Sequence, residues 1–231
     1  MRRLIIPLLL LLLLSACIGR QPIPVPASLS TVTPTLAPSP AAPSSPSPVL
    51  LSQILVDFPL AVGATWEYSA EITYEDPNAP AKLLTWTGLV TDRILEKRTE
   101  ADGRIVFTVQ EDMNPVPPEG VWRKPGTFEY TVSGDGVYKK TMKVYQYPLQ
   151  DMLSWPAFGD PGYEVTVQVL GEVYTPYGTF DSCYRLILAT NPDTTVDTFC
   201  AGMGFVEHSY SHHGTPQEEK FVLTAFTLGQ R

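Results

Sequence analysis

Apolar and polar residues alternate along most of this chain after residue 60. In TWEYSAEITY, Trp66, Tyr68, Ala70, Ile72 and Tyr74 fall on one parity, with Thr65, Glu67, Ser69, Glu71 and Thr73 on the other. YEVTVQV sets Tyr163, Val165, Val167 and Val169 against Glu164, Thr166 and Gln168. GRIVFTVQ aligns Ile105, Phe107 and Val109, and TFEYTV aligns Phe128, Tyr130 and Val132. A period of two predicts β-strands, and one apolar face beside one polar face predicts antiparallel strands.

Turn-forming pairs punctuate these runs: Asp102-Gly103, Gly134-Asp135-Gly136, Pro176-Tyr177-Gly178, Asn191-Pro192-Asp193 and His213-Gly214. They divide the region into about nine or ten strands, near 64–75, 82–98, 103–112, 126–133, 136–146, 162–175, 178–190, 194–201, 203–212 and 218–229. No amphipathic helix of ordinary length stands out. YPLQDMLSWPAF at 147–158 is an irregular apolar insert, expected to form a short helical turn over one end of the sheet. The predicted fold class is all-β, with α+β as the alternative: a curved antiparallel sheet or incomplete up-and-down barrel.

The first residues obey another pattern. Arg2 and Arg3 precede an apolar run, Leu4 to Leu14, too short for the roughly 20 residues that span a bilayer but suited to a secretory signal. Leu14-Ser15-Ala16-Cys17 resembles the bacterial lipobox. That resemblance implies removal of a signal peptide, residues 1–16, and a diacylglyceryl group on the Cys17 thiol, the new amine often carrying a further acyl chain such as palmitate. Two chains suffice for stable anchoring at about 0.8 kcal/mol per buried methylene. Cys17 is thus the expected lipidation site and the membrane the expected partner through it. The location is extracytoplasmic, at either the inner or the outer membrane.

Composition divides the rest of the chain into a tether and a domain. Residues 18–50 hold nine prolines, nine serines or threonines and one charge, Arg20. Such chain buries too little apolar surface to fold, so 17–50 reads as a lipidated cysteine plus a disordered tether. Residues 51–231 have the length of one domain. All acidic residues lie there, and the acidic balance excludes nucleic acid as a partner, because phosphate binding needs clustered Lys and Arg.

Cys183 and Cys200 remain, in an oxidising compartment. Their midpoint falls between Asn191 and Pro192, so a hairpin turning there sets them opposite each other, at a separation a disulfide accepts. No C-x-x-C accompanies them, which favours a structural disulfide over a redox or metal pair.

FPLAVGATWEY at 58–68, VYTPYGTFDSCYRL at 173–186 and CAGMGFVEHSY at 200–210 together resemble an uncharacterised group of bacterial extracytoplasmic lipoproteins. Those domains begin F-P-L-x-x-G-x-x-W, carry a P-x-G-x-F strand entry and close with G-x-G-[aliphatic or aromatic]-V. The matching residues are Phe58, Pro59, Leu60, Gly63 and Trp66, then Pro176, Gly178 and Phe180, then Gly202, Gly204, Phe205 and Val206. Cys200 departs from the group, where an aromatic is common. The resemblance implies a β-rich domain, distantly like lipoprotein-carrier folds in which a curved sheet encloses an apolar cavity. The group carries no settled biochemical function, and no cofactor and no catalytic residues are expected.

Candidate chemistry is sparse. His208 and His212 share strand parity but stand about 13 Å apart along a strand, and His213 faces the other way, so no metal site is expected. There is no G-x-S-x-G elbow, and Ser209 and Ser211 read as ordinary strand polars. Glu111-Asp112 and Glu218-Glu219 read as solvated loop charges. Trp66, Trp86, Trp122 and Trp155 are the candidate ligand contacts, the first two on apolar faces and the others in Pro/Gly-rich loops. The sequence thus points to a binding or scaffolding lipoprotein rather than an enzyme. Its expected site is the concave face near Trp66, Trp86 and Trp155, for a lipid or other apolar ligand. The alternative is an envelope protein acting through protein contacts, with a hydrolase behind both.

Overall fold

The computed structural model describes residues 48–230 apart from 80 and 215. The expected signal peptide, Cys17 and all but the last residues of the tether lie outside the described residues.

The domain opens with a helix, α1 (Pro48–Asp57). Proline at its first position loses no helical hydrogen bond. Leu51, Ile54, Leu55 and Phe58 recur at helical spacing, and Leu51, Ile54 and Phe58 are buried. Pro59 ends the helix by disfavouring helical backbone at Phe58, and the Gly202 N–H caps the Asp57 carbonyl at 2.7 Å. The sequence pattern missed α1 because ten residues running out of a proline-rich stretch give too short a periodic signal. Among the described residues no helix is long and apolar enough to cross a membrane.

Twelve strands come after it: β1 (Thr65–Glu75), β2 (Leu83–Thr99), β3 (Ile105–Asn114), β4 (Gly126–Ser133), β5 (Gly136–Lys139), β6 (Met142–Gln146), β7 (Ser154–Pro156), β8 (Glu164–Thr175), β9 (Gly178–Thr190), β10 (Asp193–Cys200), β11 (Gly204–His212) and β12 (Gln217–Thr227). They form one antiparallel sheet in the order β6-β5-β4-β3-β2-β1-β12-β11-β10-β9-β8-β7. Two six-stranded meanders are therefore joined where the first strand pairs with the last. The edge strands β6 and β7 meet: the Lys143 N–H donates to the Ala157 carbonyl, and Trp155 Nε1 donates to the Lys143 carbonyl, both at 2.8 Å. The sheet is thereby curled into a nearly closed barrel, which removes most of the exposed strand edge.

The count exceeds the expected nine or ten because a turn divides 136–146 into β5 and β6, and because the insert contributes β7 rather than a helical turn. All five anticipated turns fall at junctions between strands, with Gly136, Gly178 and Asp193 opening the strand that follows. Inside, every predicted apolar-parity residue of β1 is buried. Phe58 fills the end next to α1, where its ring meets Trp66, Tyr130, Tyr145, Phe199 and Phe205 edge-on at 5.3–6.5 Å between centroids. Edge-to-face packing of this kind adds about 0.5–1.5 kcal/mol per pair beyond the area buried.

Candidate functional site

The other part of the interior is charged. The inward parity of β2 places Asp92 between Val90 and Ile94, that of β3 places Glu111 between Val109 and Met113, and that of β12 places Glu219 beside Phe221. A buried carboxylate needs a cation, and the segment between β3 and β4 supplies it. Val121 is buried, and Arg123 reaches in beside it. Arg123 Nε donates to Glu111 Oε1 at 3.1 Å, Nη2 to Glu111 Oε2, and Nη1 to Glu219 Oε2 at 3.0 Å. Its guanidinium also lies 4.6 Å from the centre of the Phe221 ring. The planar fork thus ties β3 of the first meander to β12 of the second.

His208 on β11 continues the network. Its Nδ1 is 2.7 Å from Asp197 Oδ1 and its Nε2 3.4 Å from Glu219 Oε2. Burial alone would pull the imidazole down, but the two carboxylates outweigh it and raise the pKa to about 9, so the ring is a cation at neutral pH. Burial opposes ionisation of Glu219, yet His208 and Arg123 hold it below its usual value.

Asp92 stands apart from this pairing. It lies directly across the strand pair from Glu111. Burial, and then the Glu111 charge, raise its carboxyl to about 6. Its Oδ1 is sealed from solvent and has no hydrogen-bond partner among the described residues. The carboxyl borders a cavity of about 210 Å³ whose walls include Tyr68, Tyr130, Phe205, Phe221 and Lys139. The Tyr68 hydroxyl donates to the Phe205 carbonyl at 3.0 Å, and burial keeps both phenols neutral. Lys139 Nζ sits 3.9 Å from the Phe128 ring centre, and burial lowers its pKa. The cavity is smaller than the roughly 300 Å³ and upward of drug-sized sites, so it suits a small ligand.

The four tryptophans are not brought together and none lines this cavity. Trp66, Trp86 and Trp155 are buried, with indole N–H groups donated to the Met203, Pro115 and Lys143 carbonyls. Trp122 is 38% exposed, against Tyr210 at 6.0 Å. Cys183 and Cys200 face each other in the β9–β10 register and are joined by a disulfide, Cα atoms 4.1 Å apart. His212 contacts Asp193 rather than His208. Among the described residues no group of three or more His, Cys, Asp and Glu side chains is arranged to hold a metal. Glu111 and Glu219 correct the expectation of solvated loop charges: both lie in strands and are 6% and 4% exposed. Their signal is legible in the sequence, since each shares parity with buried apolar neighbours. The same signal marks Asp92, which the sequence reading does not single out.

Fold and site together define an all-β protein, a nearly closed antiparallel barrel with an ionic cluster and a cavity inside. No family model and no curated protein matches the sequence. Among solved structures, similarity is found to a "putative lipoprotein" from Parabacteroides distasonis ATCC 8503, at 11% identity over 72% of this chain and 96% of that one, TM-score 0.40. It is also found to a "putative exported protein with YmcC-like fold" from Bacteroides fragilis NCTC 9343, at 14% identity over 74% and 99%, TM-score 0.39. A third is the MucA/MucB complex structure of Pseudomonas aeruginosa, at 11% identity over 71% of this chain and 51% of the matched chain, TM-score 0.28. Similarity at this level assigns neither family nor function.

Proposed function

We propose that this protein is an extracytoplasmic lipoprotein, tethered to a membrane through Cys17, whose barrel interior binds a small ligand. Arg2-Arg3, the Leu4–Leu14 run and the Leu14-Ser15-Ala16-Cys17 lipobox support the anchor, and the Cys183–Cys200 disulfide suits an oxidising compartment. The observation that carries the binding role is the sealed, unpartnered Asp92 Oδ1 beside a 210 Å³ cavity. A lone buried acceptor costs about 1–3 kcal/mol, and more when charged. A polar or charged molecule in the cavity that Asp92 lines can offset the cost of burying that carboxylate. An acyl chain cannot, because it would set hydrocarbon against Asp92, so the ligand is polar rather than the lipid expected from the sequence.

The test is native mass spectrometry on the mature protein extracted from its host membrane in detergent. The expected result is a diacylglyceryl adduct on Cys17, absent from Cys17→Ala, and a small bound molecule lost from Asp92→Asn. An acylated protein with an empty interior and a stoichiometric protein partner would instead establish the envelope-scaffold alternative.

One observation favours a second reading, an acid–base catalyst: the Asp92 carboxyl is raised to about 6, where a general base operates. Against it, Arg123 and His208 are each held by two carboxylates and offer no free proton relay. Turnover of the co-purified molecule, abolished in Asp92→Asn, would establish it.

A further inference from the structure

We infer that the ligand of this cavity is a small organic cation bearing N–H donors, a primary ammonium or a guanidinium, held by the Asp92 carboxylate between aromatic walls. The inference rests on the proposed binding role and names its chemistry. The first argument is charge balance. Five carboxylates, Asp92, Glu111, Asp197, Glu207 and Glu219, border the cavity or bind its clamp. They face three cations, Arg123, Lys139 and His208. The interior therefore carries excess negative charge when its acids are ionised.

The second argument is where that excess lies. Glu111 and Glu219 are taken by Arg123, Asp197 by His208, and Glu207 accepts a hydrogen bond from Thr198 Oγ1 at 2.9 Å. Asp92 lines the cavity, and its Oδ1 lies buried without a hydrogen-bond partner. An ionised carboxylate accepts hydrogen bonds and offers none, so its complement is a donor, and a cationic donor forms the stronger bond. The third argument is the wall. Tyr68, Tyr130, Phe205 and Phe221 line the cavity, and aromatic rings attract a cation and pack against the apolar body behind it. Lys139 and Arg123 already lie over the Phe128 and Phe221 rings in this way. The Lys139 ammonium lies over Phe128 and also favours the ionised form of Asp92, so it opposes a second cation and weakens the site without closing it.

The test is isothermal titration of the full mature protein in detergent with benzylammonium, benzyl alcohol, benzoate and tetramethylammonium. Benzylammonium is expected to bind at least about tenfold more tightly than benzyl alcohol, the size of one charge-assisted hydrogen bond. Tetramethylammonium, a cation without N–H donors, should bind more weakly than benzylammonium, and benzoate not at all. Asp92→Asn should remove the preference for the cation, while Lys139→Met, which deletes the opposing charge, should tighten benzylammonium binding several-fold. Retained circular dichroism and thermal unfolding of both variants would show that they fold, and the opposite directions of their effects separate charge from damage. Equal or tighter binding of benzyl alcohol or benzoate overturns the cationic assignment and leaves the binding role standing. Failure of all four probes, with a neutral or anionic molecule co-purifying, does the same. Failure of all four with nothing co-purifying overturns both.

Discussion

The ring of Phe58 lies so close to the Cα of Gly204 that a Cβ there would stand 2.9 Å from ring carbons Cδ2 and Cε2. Gly204 also has φ +90°, which favours glycine. The opening F-P-L segment and the closing G-x-G-F-V segment thus meet inside the barrel, with Trp66 Nε1 tied to Met203 beside them. Gly204→Ala meets both obstacles and should cost about 2–4 kcal/mol. Gly202→Ala, with φ +80° but open space around its Cα, meets only the backbone one and should cost about 1 kcal/mol. Urea unfolding of the two variants checks the difference. Equal losses would show that contact with Phe58 contributes nothing.

The Cys183–Cys200 bridge closes a hairpin with 17 residues of sequence separation. Both cysteines are fully buried, so reductant reaches the bond only when the hairpin opens. Replacing both with alanine should lower stability by about 3 kcal/mol, mainly through freedom regained by the unfolded chain. In the folded protein, dithiothreitol should leave the bond intact at urea concentrations well below the unfolding midpoint. Quenched alkylation and then mass measurement reads this directly. Rapid reduction without urea would mean that the β9–β10 hairpin opens on its own.

The strands, their turns and the pairing of Cys183 with Cys200 were legible because each is a local pattern: alternation, Gly/Pro/Asn punctuation and symmetric spacing about one turn. Helix α1 was not, because Leu51, Ile54 and Phe58 acquire their meaning from the distant wall they plug. The charged site was half legible. Asp92, Glu111 and Glu219 sit on apolar parity in the sequence, and a carboxylate there requires a partner. That partner, Arg123, comes from a Pro-rich connecting segment whose path no periodicity encodes. The tryptophans drew attention by size, yet three of them spend their polar atom on a backbone carbonyl and serve as core.

Arg123 is the strongest test of the clamp. Arg123→Met would leave Glu111 buried without its cation and Glu219 with His208 alone, which costs about 3–5 kcal/mol. Arg123 helps hold the Glu219 carboxyl below its usual value, and without it burial pushes that carboxyl up, so the loss should be largest at neutral pH. In acid, protonation relieves the stranded charge and the gap from wild type should narrow. Adding Glu111→Gln and Glu219→Leu should recover much of the loss at neutral pH, because an apolar replacement of a whole buried ion group is often nearly neutral. Chemical unfolding of the three proteins at pH 4 and 7 measures it. A single variant as stable as wild type at pH 7 would show that the clamp is unneeded.

Asp92 and His208 set the pH dependence, and both act in the same sense in adjoining windows. Asp92 moves from 3.8 in the unfolded chain to about 6 in the fold, so the native state holds a proton the unfolded state has released. Stability therefore falls as pH rises from about 4 to about 6, by about 2–3 kcal/mol, and the penalty is complete above that. His208 moves from 6.5 to about 9, so its stabilisation is complete below 6.5 and is lost as pH rises through 9. Its side chain is 24% exposed, and the loss should be smaller than the shift alone implies. Asp92→Asn should flatten the first window and exceed wild type in stability at pH 7–8, while His208→Gln should flatten the second. Urea unfolding at pH 5, 7 and 9.5 separates them, with the cavity free of added amine. A cation bound at Asp92 would return its carboxyl toward the ordinary range, so benzylammonium should weaken the first window in wild type and leave Asp92→Asn unchanged. A wild-type protein more stable at pH 8 than at pH 5 would contradict the buried, unpartnered carboxylate on which that coupling depends.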